Sequence, residues 1–403
     1  MPYPGLSSDL TPEPTNMTIP TGYSVNSYGE MIVDSPRMQA YVRALRQAVR
    51  PGDTVVDIGA GPGLFSLLAC RFGAGRVHAV EPDASIELLK TLARANGFDR
   101  QMICHTTLST NVELPARADV IISDLRGILP LFEGHIPTVI DARERMLAKD
   151  GVLIPRRDWI YGTLVEAPDL YSGFTQPWLE HDYPLDLSAG FPLAVNTWRK
   201  TRLRPDQMLA PAQTWAELDY RVISGPNLAG EMRWEPARTG TAHGLLLWFD
   251  AELAEGIGFS NAPGAPELVY GQAFFPLQAP IDLAPGYAVK IDLRADLVAG
   301  DYLWQWQTRV YTRDEPSNLK VQYRQSTFLG LGFATENLRK RASDYRPRLS
   351  PSGEIDHLML SMMDGDTPLE TISRKALAEA PKQFQTWEEA LVRAGELSRL
   401  YSR

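Results

Sequence analysis

The chain has 403 residues, 44% of them hydrophobic and 22% charged, and a net charge of −9 at neutral pH. That length allows two or three domains with a real core. The acidic balance argues against a nucleic-acid surface and allows cationic substrates. No apolar run reaches the 18 residues of a membrane helix, and the two cysteines, Cys70 and Cys104, lack metal-type spacing and suit a reducing, cytoplasmic compartment.

Residues 1–22, rich in Pro, Ser and Thr, read as a flexible arm rather than a secretory signal. Apolar residues at 38, 41, 42 and 45 then have helical spacing, and Ser35-Pro36 suits a helix start. Arg37 would sit in the first turn, an unfavourable place for a cation. It is tolerable on a surface and is equally a candidate to pair with a ligand carboxylate.

From 54 to 154 apolar runs at 54–58, 77–80, 101–104, 118–122 and 151–154 alternate with helical patterns at 63–72, 84–96 and about 132–148. This βαβ order predicts an α/β domain with an open parallel sheet and helices on both faces. Ligands of such sheets bind at the carboxyl ends of the strands, where Gly59, Glu81, Ser109 and Asp124 all fall. The first strand and turn read Val55-Val56-Asp57-Ile58-Gly59-Ala60-Gly61-Pro62-Gly63. Glycines at alternate positions allow left-handed backbone and close approach of a ligand. Glu81, closing the next strand, can hold both ribose hydroxyls of a nucleoside.

The fourth strand ends in Ser123-Asp124-Leu125-Arg126-Gly127, and Glu133 follows a short apolar loop. Two carboxylates aimed at one point can bind a guanidinium or an ammonium. On spacing alone the favoured reading makes Asp124 a turn residue and Glu133 an exposed helix residue.

After Pro155 the pattern becomes alternating and is punctuated by Pro and Gly, which predicts an antiparallel β domain over 156–333. An aromatic stretch of poor periodicity, 169–205, reads as a helical insertion or an arm that docks on a partner subunit. Residues 334–353 look like a basic linker. Three amphipathic helices follow, marked by Ile355, Leu358, Met359 and Met362, by Leu369, Ile372 and Leu377, and by Trp387, Leu391 and Leu397.

The glycine turn with its two acids resembles the S-adenosylmethionine (SAM) site of class I methyltransferases. From about residue 23 to 312 the motifs resemble the protein arginine methyltransferases. The resemblance implies a Rossmann-like SAM domain over 23–155, then a β-barrel substrate domain. It implies SAM as cofactor, S-adenosylhomocysteine as product and no metal. Tyr28, Met31 and Arg37 would contact the cofactor, with Tyr28 standing where the family usually has His. So would Asp57, Gly59, Gly61, Gly63 and Glu81, with Leu108 and Ser109 at the adenine. Asp124 and Glu133 fall on the two acids of the family's "double-E" loop, which implies a catalytic role. The 169–205 segment falls on the dimerisation arm, implying a head-to-tail homodimer.

Three departures stand out. The first loop acid is Asp124, one methylene shorter than Glu. Arg126 replaces an apolar residue, and Tyr270 in Leu268-Val269-Tyr270 stands in the family's Thr-His-Trp loop. Both are candidate substrate-binding residues, and Arg126 would suit a substrate that also carries a carboxylate. The tail, with Met363-Asp364-Gly365, resembles the winged-helix domains that recognise precursor peptides in natural-product pathways. The expected activity is N-methylation of an arginine or guanidino group in a peptide, protein or free amino acid. The alternatives are methylation of a carboxyl, hydroxyl or other amine, and a SAM-binding regulator without catalysis.

Overall fold

The computed structural model describes residues 23–236, 238–312, 315–332, 339–340 and 342–402. The N-terminal arm expected over 1–22 and most of the expected basic linker before 342 lie outside the described residues. Two compact units result, Met1–Leu331 and Gly332–Arg403.

The larger unit opens with α1 (Val25–Val33) and α2 (Ser35–Ala48). Ser24 caps α1 by accepting a hydrogen bond from the Ser27 N–H, and Pro36 fits the first turn of α2. One face of α2 buries Met38, Tyr41, Ala44 and Leu45, the face predicted by the apolar spacing. Arg37 is buried with them.

A five-stranded parallel sheet follows. Its members are β1 (Thr54–Ile58), β2 (Arg76–Val80), β3 (Met102–His105), β4 (Ala118–Ser123) and β5 (Leu147–Ile154), in the order β3-β2-β1-β4-β5. Helices α3 (Leu64–Arg71), α4 (Ser85–Ala95) and α5 (His135–Arg145) connect them. The order reverses between β1 and β4, and the crevice at such a switch point is where open α/β sheets bind ligands. Helix α5 starts later than its apolar pattern suggests. Glu133 has φ 40°, which no helix accommodates, so the helix begins past Gly134.

Two antiparallel sheets form the second half. The first orders β7 (Arg199–Thr201), β12 (Gln272–Leu283), β10 (Gly240–Ala254), β6 (Arg157–Val165) and β8 (Gln213–Asp219), with β11 (Ile257–Ser260) on β10. The second orders β15 (Glu315–Ser326), β14 (Asp301–Thr312), β13 (Tyr287–Val298) and β9 (Leu228–Trp234). Between β6 and β7 lie α6 (Pro168–Thr175) and α7 (Phe191–Val195), within the expected arm. One hydrophobic core runs from Tyr41, Val55 and Ile121 through Leu164 and Tyr220 to Trp304 and Trp306.

The smaller unit contains α8 (Pro351–Ser361), α9 (Leu369–Glu379) and α10 (Trp387–Tyr401) around Ile355, Met359, Ile372, Ala376, Ala390 and Ala394. Ser350 and Thr386 cap the first and last of these by accepting backbone N–H bonds. A winged helix needs strands as well as helices, and this unit has none among its described residues.

Candidate active site

The glycine turn after β1 is left-handed at each alternate position, with φ 72° at Gly59, 53° at Gly61 and 82° at Gly63. Side chains also close over it. A Cβ on Gly59 would lie 2.3 Å from Leu125 Cδ2, one on Gly61 2.8 Å from the Tyr28 ring, and one on Gly63 1.3 Å from Leu89 Cδ1. Both backbone conformation and space therefore demand glycine. Tyr28, reaching over from α1, donates its hydroxyl hydrogen to Ser85 Oγ at 3.2 Å.

Glu81 faces this turn. Its two oxygens accept from the N–H of Gly61 and of Asp83, each at 2.9 Å. At the foot of the turn Asp57 is buried and accepts from Ser66 Oγ at 2.7 Å through one oxygen. Its other oxygen is buried with no partner. Burial pushes its carboxyl up to about 7 despite the Ser66 bonds. Along the edge Ser109 is buried, its carbonyl accepting from Arg145 at 2.7 Å, while Leu108 is exposed. An orphaned buried acceptor, a backbone cradle with no room for a Cβ and an acid on its rim fit the adenosyl and amino-acid parts of SAM.

Opposite the cradle stands Arg37. Its Nε donates to Asp124 Oδ2 at 2.9 Å and to the Tyr270 hydroxyl at 3.0 Å, and its Nη2 pairs with Asp124 too. Its Nη1 donates to the Met31 carbonyl at 3.2 Å, so Met31 and Arg37 do meet. The guanidinium packs 5.4 Å from the centroid of the Tyr41 ring, which stacks on Phe65.

Asp124 is nearly inaccessible, with 6% of its side chain exposed. Tyr270 donates to it at 2.8–2.9 Å, and Arg126 Nε donates to its Oδ1 at 3.2 Å. Burial alone would raise this carboxyl, but Arg37 and Arg126 overcome it and hold the group at about 2. Burial and the adjacent Asp124 raise the Tyr270 phenol. Glu133 differs in every respect. It is exposed and left-handed, and it makes no hydrogen bond or ion pair among the described residues.

Arg126 is not beside the substrate space where its sequence position put it. Its side chain is fully buried, with Nη1 on Asp158 Oδ1 at 2.9 Å and Nη2 on the Tyr41 hydroxyl. The physical reason is Asp158, an anion on an inner strand that cannot stay unpaired. Tyr270 likewise faces Asp124 and Arg37 rather than open space. Asp158 Oδ2 also accepts from Tyr220 at 2.6 Å, and that hydroxyl meets His135 Nε2 at 3.1 Å. Burial and Arg126 push the His135 imidazole down to about 3.

Sequence reading missed Asp158, Tyr220, His135 and Asp34, whose Oδ2 accepts from the Val269 N–H at 2.9 Å. Asp158 left a signal. It alternates in phase with Ile160 and Leu164, the buried face of β6, where a carboxylate demands a cation.

The chain is similar to known proteins in sequence and in fold. Residues 37–154 match the family model for ribosomal protein L11 methyltransferase (PrmA). The chain is 29% identical over 274 residues to an arginine N(omega)-methyltransferase of Streptomyces achromogenes subsp. streptozoticus, covering 65% of this chain and 74% of that protein. It is 27% identical to human protein arginine N-methyltransferase 2, covering 72% of each. A PRMT1 enzyme–prozyme complex of Trypanosoma brucei, solved with AdoHcy, superposes with a TM-score of 0.69. That match covers 75% of this chain and 98% of that one at 18% identity, a common fold. In sequence and in fold the chain is thus similar to the protein arginine methyltransferases.

Proposed function

We propose that the protein is a SAM-dependent methyltransferase that N-methylates an arginine or guanidino group in a peptide, a protein or a free amino acid. The observation that carries this reading is Glu133, an exposed and unpaired carboxylate held at φ 40° on a loop whose other acid already grips guanidinium groups. Left-handed backbone at a residue other than glycine costs about 1–3 kcal/mol and clusters at functional sites. The names of the relatives, arginine methyltransferases, support the same acceptor.

When bound, SAM supplies an electrophilic methyl group on a sulfonium. Glu81 would accept from its ribose hydroxyls, and Arg37 would be the cation available to its amino-acid carboxylate. Gly59, Gly61 and Gly63 let the ligand lie against the backbone, flanked by Tyr28 and Leu125. Leu108 and Ser109 would border its adenine. Glu133 accepts an N–H of the acceptor group, which keeps a lone pair on the attacking nitrogen, and then holds the proton released. Holding the reacting atoms in line supplies about 7–11 kcal/mol of the barrier reduction.

The test is mass spectrometry with labelled SAM, free arginine and an arginine-containing peptide. Labelled methyl on a guanidino nitrogen is expected. Glu133→Gln should lose about 100-fold or more in kcat while calorimetry finds SAM bound as before. Label on an oxygen instead would replace the acceptor, and no SAM binding would remove the cofactor.

The reading extends to a homodimer through the 169–205 arm, where Trp178, Leu179, Tyr183 and Leu185 are exposed. Light scattering of a Leu179→Asp variant should report monomer where the native chain reports dimer. A precursor peptide at the C-terminal helices, a place in natural-product biosynthesis and the cytoplasm belong to the same reading. Exposed Val392, Leu400 and Tyr401 on α10 support the first of these. No helix among the described residues is long and apolar enough to cross a membrane.

A further inference from the structure

Asp124 and Glu133 are the two acids that a cationic acceptor would be expected to meet together. The geometry gives them separate duties. A carboxylate offers about four acceptor positions. At Asp124 they are met by Arg126 Nε, by Nε and Nη2 of Arg37 and by the Tyr270 hydroxyl. An incoming guanidinium would have to displace one of these.

Arg126 cannot yield easily. Its side chain is wholly buried, and its three polar contacts lie on three elements: Asp124 after β4, Asp158 on β6 and Tyr41 on α2. Its cation also lies 5.3 Å and 5.6 Å from the ring centroids of Phe259 and Phe249, which close the remaining sides. Asp158 is held in turn, with Tyr220 on its second oxygen and His135 behind Tyr220. The planar fork of arginine is what lets one side chain meet these partners at once.

We propose that Arg126 and Asp158 are positioning residues that lock Asp124 to the protein, so that Glu133 alone of the two loop acids receives the cationic acceptor. Asp124 then serves the cofactor side by setting the place of Arg37, and the substrate grip is single-handed. This inference rests on the arginine reading for its acceptor. Its cofactor arm does not.

The test replaces the pair together, as R126M/D158N. That exchange removes one cation and one anion, leaves no unpaired buried charge and tends to preserve folding. Thermal melting checks that the variant is folded. Calorimetry with SAM reads the lock without any acceptor. Affinity should shift by about threefold or more through Arg37, although neither substituted residue touches the cradle. Steady-state kinetics with the arginine-containing peptide reads the other side. In the E133Q background the paired replacement should recover about tenfold in KM, because a freed Asp124 can accept the guanidinium. R126K, which keeps the charge and loses the fork, should fall between wild type and R126M/D158N in SAM affinity.

SAM affinity unchanged within about twofold in a folded R126M/D158N would overturn the lock. So would D124N and E133Q raising the peptide KM equally, since both acids would then touch the acceptor. A wild-type protein that binds SAM and methylates no arginine would instead remove the acceptor assignment, and the SAM measurement would still decide the lock.

Discussion

The glycine cradle and the acid loop lie side by side at the carboxyl ends of one sheet, and they are built differently. The cradle is local. Gly59, Gly61 and Gly63 sit within one turn, and Glu81 closes the neighbouring strand. The acid loop is held from afar. Asp124 depends on Arg37 from α2, Tyr270 from the barrel and Arg126, itself anchored on β6. A local site tolerates change elsewhere in the chain, whereas a site assembled from distant parts is as sound as its weakest support.

The contrast can be broken first at Asp124. Asp124→Asn leaves Arg37 and Arg126 buried without their shared anion, and breaking a buried pair typically costs about 3–5 kcal/mol. Urea unfolding should read that loss, and a change under about 1 kcal/mol would mean the charges are solvated. Acid is the next lever. His135 is held at about 3 and His78 at about 4, both below the ordinary value of 6.5. Between those values the unfolded chain binds protons that the folded one refuses, so stability falls as pH drops below about 6.5. His135 alone contributes about 3 kcal/mol of loss by pH 4. Its replacement by Phe should flatten the pH dependence of the melting temperature.

In the cradle, Gly61→Ala meets a positive φ and the Tyr28 ring, and should cost about 1–2 kcal/mol together with SAM affinity. The smallest effect sharpens the comparison most. Glu133→Gly relieves the left-handed backbone and should gain about 0.5–1 kcal/mol while abolishing transfer. If Glu133→Gly instead destabilises, the residue is structural and the strain argument fails.

These differences explain what the sequence makes legible. The cradle follows from a short pattern of strand, glycines and acid, so Gly59, Gly61, Gly63 and Glu81 could be read directly. The two faces of the parallel sheet and the helical face of α2 were legible for the same reason, since periodicity is local. Arg126 stands out in the sequence as a cation out of place, but its partner lies on another sheet and no spacing rule links the two. The late start of α5 depended on the backbone of Glu133, which composition does not encode. Asp158 stands in phase with apolar neighbours, a signal the sequence reading did not use, and only the fold pairs it.

The bond between Arg126 and Asp158 joins a loop of the parallel sheet to a strand of the barrel. Were the chain severed at Pro155 and the pieces expressed apart, one fragment would carry a bare cation in its interior and the other a bare anion. The core that continues from Tyr41 to Trp306 would be opened to water on both cut faces. Neither fragment should fold by itself, and co-expression should be needed to recover either.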